Sequence, residues 1–82
     1  MTKVTIYTTP ICAYCKAAKQ YFADHNIEYT EVDVAADQAA ARMIVAKSGQ
    51  MGVPIISIEK DGQEELVIGF DQPKLARLLG LV

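Results

Sequence analysis

Two cysteines, Cys12 and Cys15, are the only thiols in this 82-residue sequence, and Ala13 and Tyr14 separate them. A pair at this spacing can form a reversible disulfide or supply two ligands to a metal ion. Structural zinc usually takes four ligands, and the sequence adds a single histidine, His25. A complete metal site within one chain is therefore disfavoured, and the pair predicts thiol–disulfide chemistry.

The cysteine pair lies where a predicted strand is followed by a predicted helix. Apolar and polar residues alternate over Lys3–Thr8, as in a half-buried strand. Pro10 then interrupts this pattern, and helix-forming residues with one apolar stripe occupy residues 13–24. In a helix that begins near Cys12, the spacing places Cys15 on the stripe that faces the core.

The start of this helix is expected to give the two sulfurs different properties. The first backbone N–H groups of a helix lack intrahelical partners, and the positive end of the helix dipole lies there. Both features favour a thiolate over a thiol at Cys12, and Lys16 and Lys19 add positive charge nearby. We therefore expect Cys12 to be the exposed nucleophile that attacks a disulfide, and Cys15 the covered thiol that resolves the mixed disulfide.

The rest of the sequence predicts three further strands and two further helices. The strands are expected at 27–34, 53–59 and 64–70, and the helices at 37–49 and 71–80. Asp61-Gly62, between the last two strands, is typical of a hairpin turn. The order β-α-β-α-β-β-α predicts an α/β fold, with a four-stranded mixed sheet, helices on both faces and one domain over residues 1–82.

Composition excludes several other classes of function. The chain is 51% hydrophobic with a formal charge of −2, and no cluster of Lys and Arg is present. This argues against binding nucleic acid or an anionic membrane surface. The apolar runs are too short to span a bilayer, and the first residues lack the long apolar core of a signal peptide. We expect a cytoplasmic monomer.

Three segments resemble the glutaredoxin family of the thioredoxin superfamily. "CAYCKAAK" is similar to the family's Cys-Pro-Tyr-Cys followed by a basic residue, "SGQMGVPIISI" to its Thr-Val-Pro segment, and "IGFDQPKL" to its glycine-aspartate region. The resemblance covers essentially the whole chain. It implies a thioredoxin-like fold and a dithiol oxidoreductase that reduces protein disulfides or glutathione mixed disulfides, with glutathione as co-substrate and no tightly bound cofactor.

The resemblance also implies roles for particular residues. Cys12 and Cys15 would be the nucleophile and the resolving thiol. Six further positions would contact glutathione or its sulfur: Tyr14, Gln50, Val53, Pro54, Phe70 and Asp71. Among these, Val53 would pair its backbone with the glutathione cysteine, Pro54 would be cis and face the thiols, and Phe70 and Asp71 would meet the γ-glutamyl end.

Departures from the family pattern keep two alternatives open. Thr9 stands where many glutathione-using members have Lys, and Met51-Gly52 where Arg and Thr are frequent, so cationic contacts to glutathione are missing. Electrons could then come from a flavin-dependent reductase instead. Ala13 replaces the motif proline, and a small residue there resembles members that hold a [2Fe–2S] cluster between two subunits with glutathione. The second alternative is therefore a cluster carrier or sensor.

Overall fold

Four strands and three helices follow one another in the predicted order. The computed structural model describes residues 2–49 and 54–81. The elements are β1 (Thr2–Thr8), α1 (Ala13–Asp24), β2 (Thr30–Asp33), α2 (Gln38–Ser48), β3 (Ile55–Lys60), β4 (Gln63–Ile68) and α3 (Gln72–Leu79). None of these helices, within the described ranges, is long and apolar enough to cross a membrane.

The strands form one mixed sheet in the order β2-β1-β3-β4. The strand β1 pairs in parallel with β2 and antiparallel with β3, and β3 pairs antiparallel with β4. The β3–β4 turn carries Asp61 and Gly62, both with positive φ (53° and 79°), as the predicted two-residue hairpin requires. This pairing puts the end of β1, the start of β3 and the end of β4 at the same edge of the sheet.

Each face of the sheet is covered by helices, which confirms the predicted layering. Ala18 and Phe22 of α1 and Leu75 of α3 form one buried cluster with strand residues. On the opposite face, Ile44 of α2 packs in a second cluster with Tyr7 and other strand residues. Alternate residues of a strand point to opposite faces, so consecutive buried residues such as Ile6-Tyr7 and Ile55-Ile56 supply both clusters.

Local capping signals account for where the helices begin and end. Asp37 and Asp71 cap α2 and α3, with their carboxylates accepting hydrogen bonds from the Ala40 and Lys74 N–H groups. Left-handed glycines follow α2 and α3, as predicted: Gly49 (φ 75°) and Gly80 (φ 73°).

The second strand is shorter than its predicted span of 27–34. Asn26 adopts a left-handed conformation (φ 56°), and the Ile27 N–H donates to the Phe22 carbonyl at 2.8 Å. Together with the bond from the Asn26 N–H to the Ala23 carbonyl at 3.2 Å, this bond forms a Schellman motif that ends α1. Ile27 packs on the core cluster beside α1 and α3, so it belongs to the end of the helix. Pairing with β1 begins only at Thr30.

Candidate active site

Cys12 occupies the N-cap position of α1. Its backbone is extended (φ −89°, ψ 112°), and its Sγ accepts a hydrogen bond from the Cys15 backbone N–H at 3.1 Å. In most helices a Ser, Thr, Asp or Asn oxygen satisfies this donor at the third helical position. Here a sulfur does so, and a thiolate is the stronger acceptor. The first turn of α1 contains no acidic side chain that would oppose an anion.

Cys15 lies one turn further, on the buried side of α1. It is 1% exposed, whereas Cys12 is partly exposed, and the two thiols are free. Burial, followed by the hydrogen bond and the charge of Cys12, raises the pKa of the Cys15 thiol to about 12, against lowering effects from the Thr9 backbone and Lys19. The predicted division into an accessible and a covered sulfur is confirmed.

The predicted site residues that the structure describes lie at the same edge of the sheet. Ile55 pairs with Tyr7 on one side and Ile68 on the other, so Pro54 lies beside the end of β1, and the residues after β4 lie at the same end of the sheet, one strand further away. The Gly69 N–H donates to the Pro54 carbonyl at 2.9 Å, which ties the chain before β3 to the chain before α3. Only Gly69 and Phe70 separate Ile68 from Asp71, the cap of α3. The helix α3 therefore begins at the same edge of the sheet as α1.

These predicted site residues differ in how much of their side chains remains available. Tyr14 is 69% exposed and Asp71 is exposed, while the Pro54 side chain is fully buried. The Phe70 ring packs on the core cluster and edge-on to Tyr21, with ring centroids 5.7 Å apart. A Phe70 contact to a ligand would therefore use its backbone. Gln50 and Val53, with Met51 and Gly52, lie outside the described residues.

A network that sequence reasoning missed links the end of β1, the helix α1 and β2. Glu31 Oε2 accepts a hydrogen bond from Thr8 Oγ1 at 2.9 Å and from Lys19 Nζ at 2.8 Å. Both contacts lower the pKa of the Glu31 carboxyl group, the Lys19 contact more. The ammonium group of Lys19 in turn lowers the pKa of Cys15. In the sequence, Glu31 is an ordinary polar residue of the predicted second strand. Only the parallel pairing of β2 with β1 brings its side chain to Thr8.

Replacing Lys19 by Met is expected to slow the step in which Cys15 attacks. The variant removes a cation that favours the Cys15 thiolate, and such partly solvated charges contribute up to about 1 kcal/mol, or about fivefold in rate. Stopped-flow release of a product thiol after mixed-disulfide formation measures this step. Glu31→Gln is the matched control, since it keeps the cation and removes its counter-ion; slowing in both variants would contradict the electrostatic role of Lys19.

Sequence reasoning also missed Ile11, which is 94% exposed beside Cys12. Its spacing to Cys15 and Ala18, four and seven residues, is that of a helical stripe, but α1 begins only at Ala13. Ile11 instead lies in a turn, where the Cys12 N–H donates to the Thr9 carbonyl at 3.3 Å. The signal in the sequence is an isoleucine enclosed between Pro10 and the helix cap.

The arrangement of candidate ligands bears on metal binding. Among residues 2–49 and 54–81, no three His, Cys, Asp or Glu side chains lie close enough together to hold a metal ion. Iron–sulfur clusters of the [2Fe–2S] type take four protein ligands, so the described part of one chain could not hold such a cluster without ligands from elsewhere.

Comparison with known proteins agrees with this geometry. The family model described as Glutaredoxin matches residues 4–63. An uncharacterized glutaredoxin-like 8.6 kDa protein in a rubredoxin operon of Clostridium pasteurianum is 36% identical over 76 residues, covering 93% of this chain and 96% of the relative.

Solved structures show the same fold. The thioredoxin-like protein BC3987 superposes with a TM-score of 0.78 at 33% identity, covering 93% of this chain and 99% of that one. The glutaredoxin-like NrdH-redoxin from Escherichia coli superposes with a TM-score of 0.79 at 25% identity, covering 93% of each chain. The fold is thioredoxin-like, and the thiol pair stands at the start of its first helix. This chain belongs to the glutaredoxin family.

Proposed function

We propose that this protein is a dithiol oxidoreductase that reduces disulfides, with Cys12 as nucleophile and Cys15 as resolving thiol. The observation that carries the proposal is the hydrogen bond from the Cys15 backbone N–H to Cys12 Sγ, across the end of α1. It gives Cys12 a partner that stabilises the anion, while its side chain stays partly exposed. Cys15 is covered, so a substrate meets Cys12 first.

The first step forms a mixed disulfide. The Cys12 thiolate attacks one sulfur of the substrate disulfide, and the other substrate sulfur leaves as a thiolate that takes a proton from water. The new bond joins Cys12 Sγ to the substrate. In the free protein Cys15 does not compete for the substrate, because its raised pKa keeps this thiol protonated near neutral pH and its side chain is buried.

The second step is promoted by the loss of charge in the first. Two of the causes that raise the pKa of Cys15 are its hydrogen bond with Cys12 and the Cys12 charge. Once Cys12 is in a mixed disulfide, its negative charge is gone, and the pKa of Cys15 falls. Cys15 then loses its proton and attacks Cys12 Sγ, which forms the intramolecular disulfide and expels the second substrate thiolate. Two electrons pass from the protein to the substrate.

The electron donor that we propose is a flavin-dependent disulfide reductase. Glutathione carries two carboxylates, and Thr9 and Met51 stand where many glutathione-using members have the cationic residues Lys and Arg. Each lost charged hydrogen bond would cost about 1.5–3 kcal/mol of binding. A thioredoxin-like activity profile is ascribed to the NrdH-redoxin from E. coli, one of the structural neighbours.

A coupled assay with two donors tests this proposal. NADPH with thioredoxin reductase is expected to support continuous reduction of a small disulfide at a rate at least about tenfold above that with glutathione and glutathione reductase. Thr9→Lys, which adds a cation three residues before Cys12, is expected to raise the glutathione-driven rate and leave the other unchanged. A faster glutathione-driven rate in the unaltered protein would reject the flavin-dependent donor.

Anaerobic purification distinguishes the proposed disulfide exchange from the alternative of a cluster carrier. Protein purified anaerobically is expected to be colourless and monomeric if it acts through disulfide exchange. A brown, dimeric species that contains iron and sulfide, together with no turnover from either donor, would replace the proposed activity by cluster transfer.

A further inference from the structure

The two most exposed large hydrophobic side chains in the described part of the chain stand on either side of the nucleophile. Ile11 is 94% exposed and Tyr14 is 69% exposed, and Cys12 lies between them in the sequence. Single exposed hydrophobic residues are common on protein surfaces. Two of them beside one reactive sulfur form a local apolar surface at the point where a substrate must arrive.

A hydrogen-bonded turn of the backbone holds Ile11 in solvent. The hydrogen bond from the Cys12 N–H to the Thr9 carbonyl closes a four-residue turn with Pro10 in its second position and Ile11 in its third. In many helices the residue before the N-cap packs on the fourth helical residue as a hydrophobic staple. Here that fourth residue is Lys16, which is exposed and charged, so no apolar partner within the helix covers Ile11.

Disulfide exchange itself brings a partner against Ile11. A mixed disulfide holds the two sulfurs about 2.05 Å apart, so the residues that flank the partner's reacting cysteine come next to the neighbours of Cys12. Glutathione has two carboxylates and no apolar side chain, and it gains nothing by covering Ile11. A protein whose reacting cysteine has apolar neighbours would bury Ile11 and gain the corresponding free energy.

We propose that Ile11 is a specificity-determining residue, which selects protein disulfides whose reacting cysteine is flanked by apolar side chains over glutathione mixed disulfides. This inference depends on the disulfide exchange proposed above and adds the class of substrate. The contact is made in the encounter and in the mixed disulfide, so Ile11 acts on the first step and leaves the resolving step unchanged.

Three substrates test the inference in single-turnover experiments with pre-reduced protein, which need no electron donor. Two are synthetic peptides with one internal disulfide, flanked by leucine in one peptide and by serine in the other; the third is glutathione disulfide. The unaltered protein is expected to react about tenfold faster with the leucine peptide than with the serine peptide, at the lower end of what burying one isoleucine contributes. In Ile11→Ser this ratio is expected to approach one, while the rate with glutathione disulfide stays within about twofold.

Two controls complete the test. Ile11→Leu is expected to keep the preference for the leucine peptide. Leu81→Ser changes another exposed aliphatic residue, just beyond the C-terminal end of α3, and is expected to keep it as well. An unchanged ratio in Ile11→Ser, or an equal loss of rate with all three substrates, would overturn the role of Ile11. If the unaltered protein reduced none of the three substrates, the proposed oxidoreductase activity itself would fail.

Discussion

Cys12→Ser is expected to abolish disulfide reduction and leave the fold intact. A hydroxyl group is not ionised near neutral pH and does not attack sulfur, so the rate should fall by at least about a thousandfold. Serine is among the preferred N-cap residues, and its oxygen can accept the Cys15 N–H in place of the sulfur. The rate is measured by single turnover with a small disulfide, and the fold by thermal unfolding.

The unfolding measurement separates chemistry from folding in this variant. The Tm of Cys12→Ser should stay within about 4 °C of the unaltered protein, since 1 kcal/mol moves the Tm of a domain of this size by about 4–8 °C. A variant that keeps its Tm and retains a tenth or more of its activity would show that Cys12 is not the nucleophile.

Cys15→Ser is expected to block the reduction of protein disulfides and to spare the reduction of glutathione mixed disulfides. With a protein disulfide, the reaction should stop at the mixed disulfide, and the covalent adduct should accumulate and be visible by non-reducing electrophoresis. With a glutathione mixed disulfide, free glutathione can attack the intermediate in place of Cys15, so turnover should continue when glutathione is supplied. Mass spectrometry of the trapped species should place the substrate on Cys12.

Cys15→Ala is the matched control for a folding defect in Cys15→Ser. Cys15 is 1% exposed, and a buried serine hydroxyl without a partner can cost about 1–3 kcal/mol, whereas Cys15→Ala buries no polar group. Both variants should trap the adduct. If neither accumulates it while both remain folded, the substrate would be released without Cys15, and the two-thiol mechanism would be wrong.

Much of this fold was predictable because its signals are local. The Asp37 and Asp71 caps and the Asp61-Gly62 turn act through atoms a few residues apart, and so their sequence positions suffice to place them. The same holds for the sulfur pair. Cys15 shares the apolar stripe of α1 with Ala18 and Phe22, and Cys12 lies at the start of the helix, so the covered and the accessible sulfur followed from spacing alone.

Other features depend on which elements meet. The prediction for 27–34 was too long because Ile27 can serve either an apolar strand or the end of a helix, and packing against the α1–α3 side of the core decides between them. The contact of Glu31 with Thr8 and Lys19 joins residues 23 and 12 positions apart, which no local pattern encodes. By its residue types and their spacing, the sequence alone determined the reactive pair, the order of elements and their caps. Only the tertiary structure decided the charge network beside Cys15, because it depends on distances across the sheet. It also decided the exposure of Ile11, because that depends on whether any other side chain packs on it.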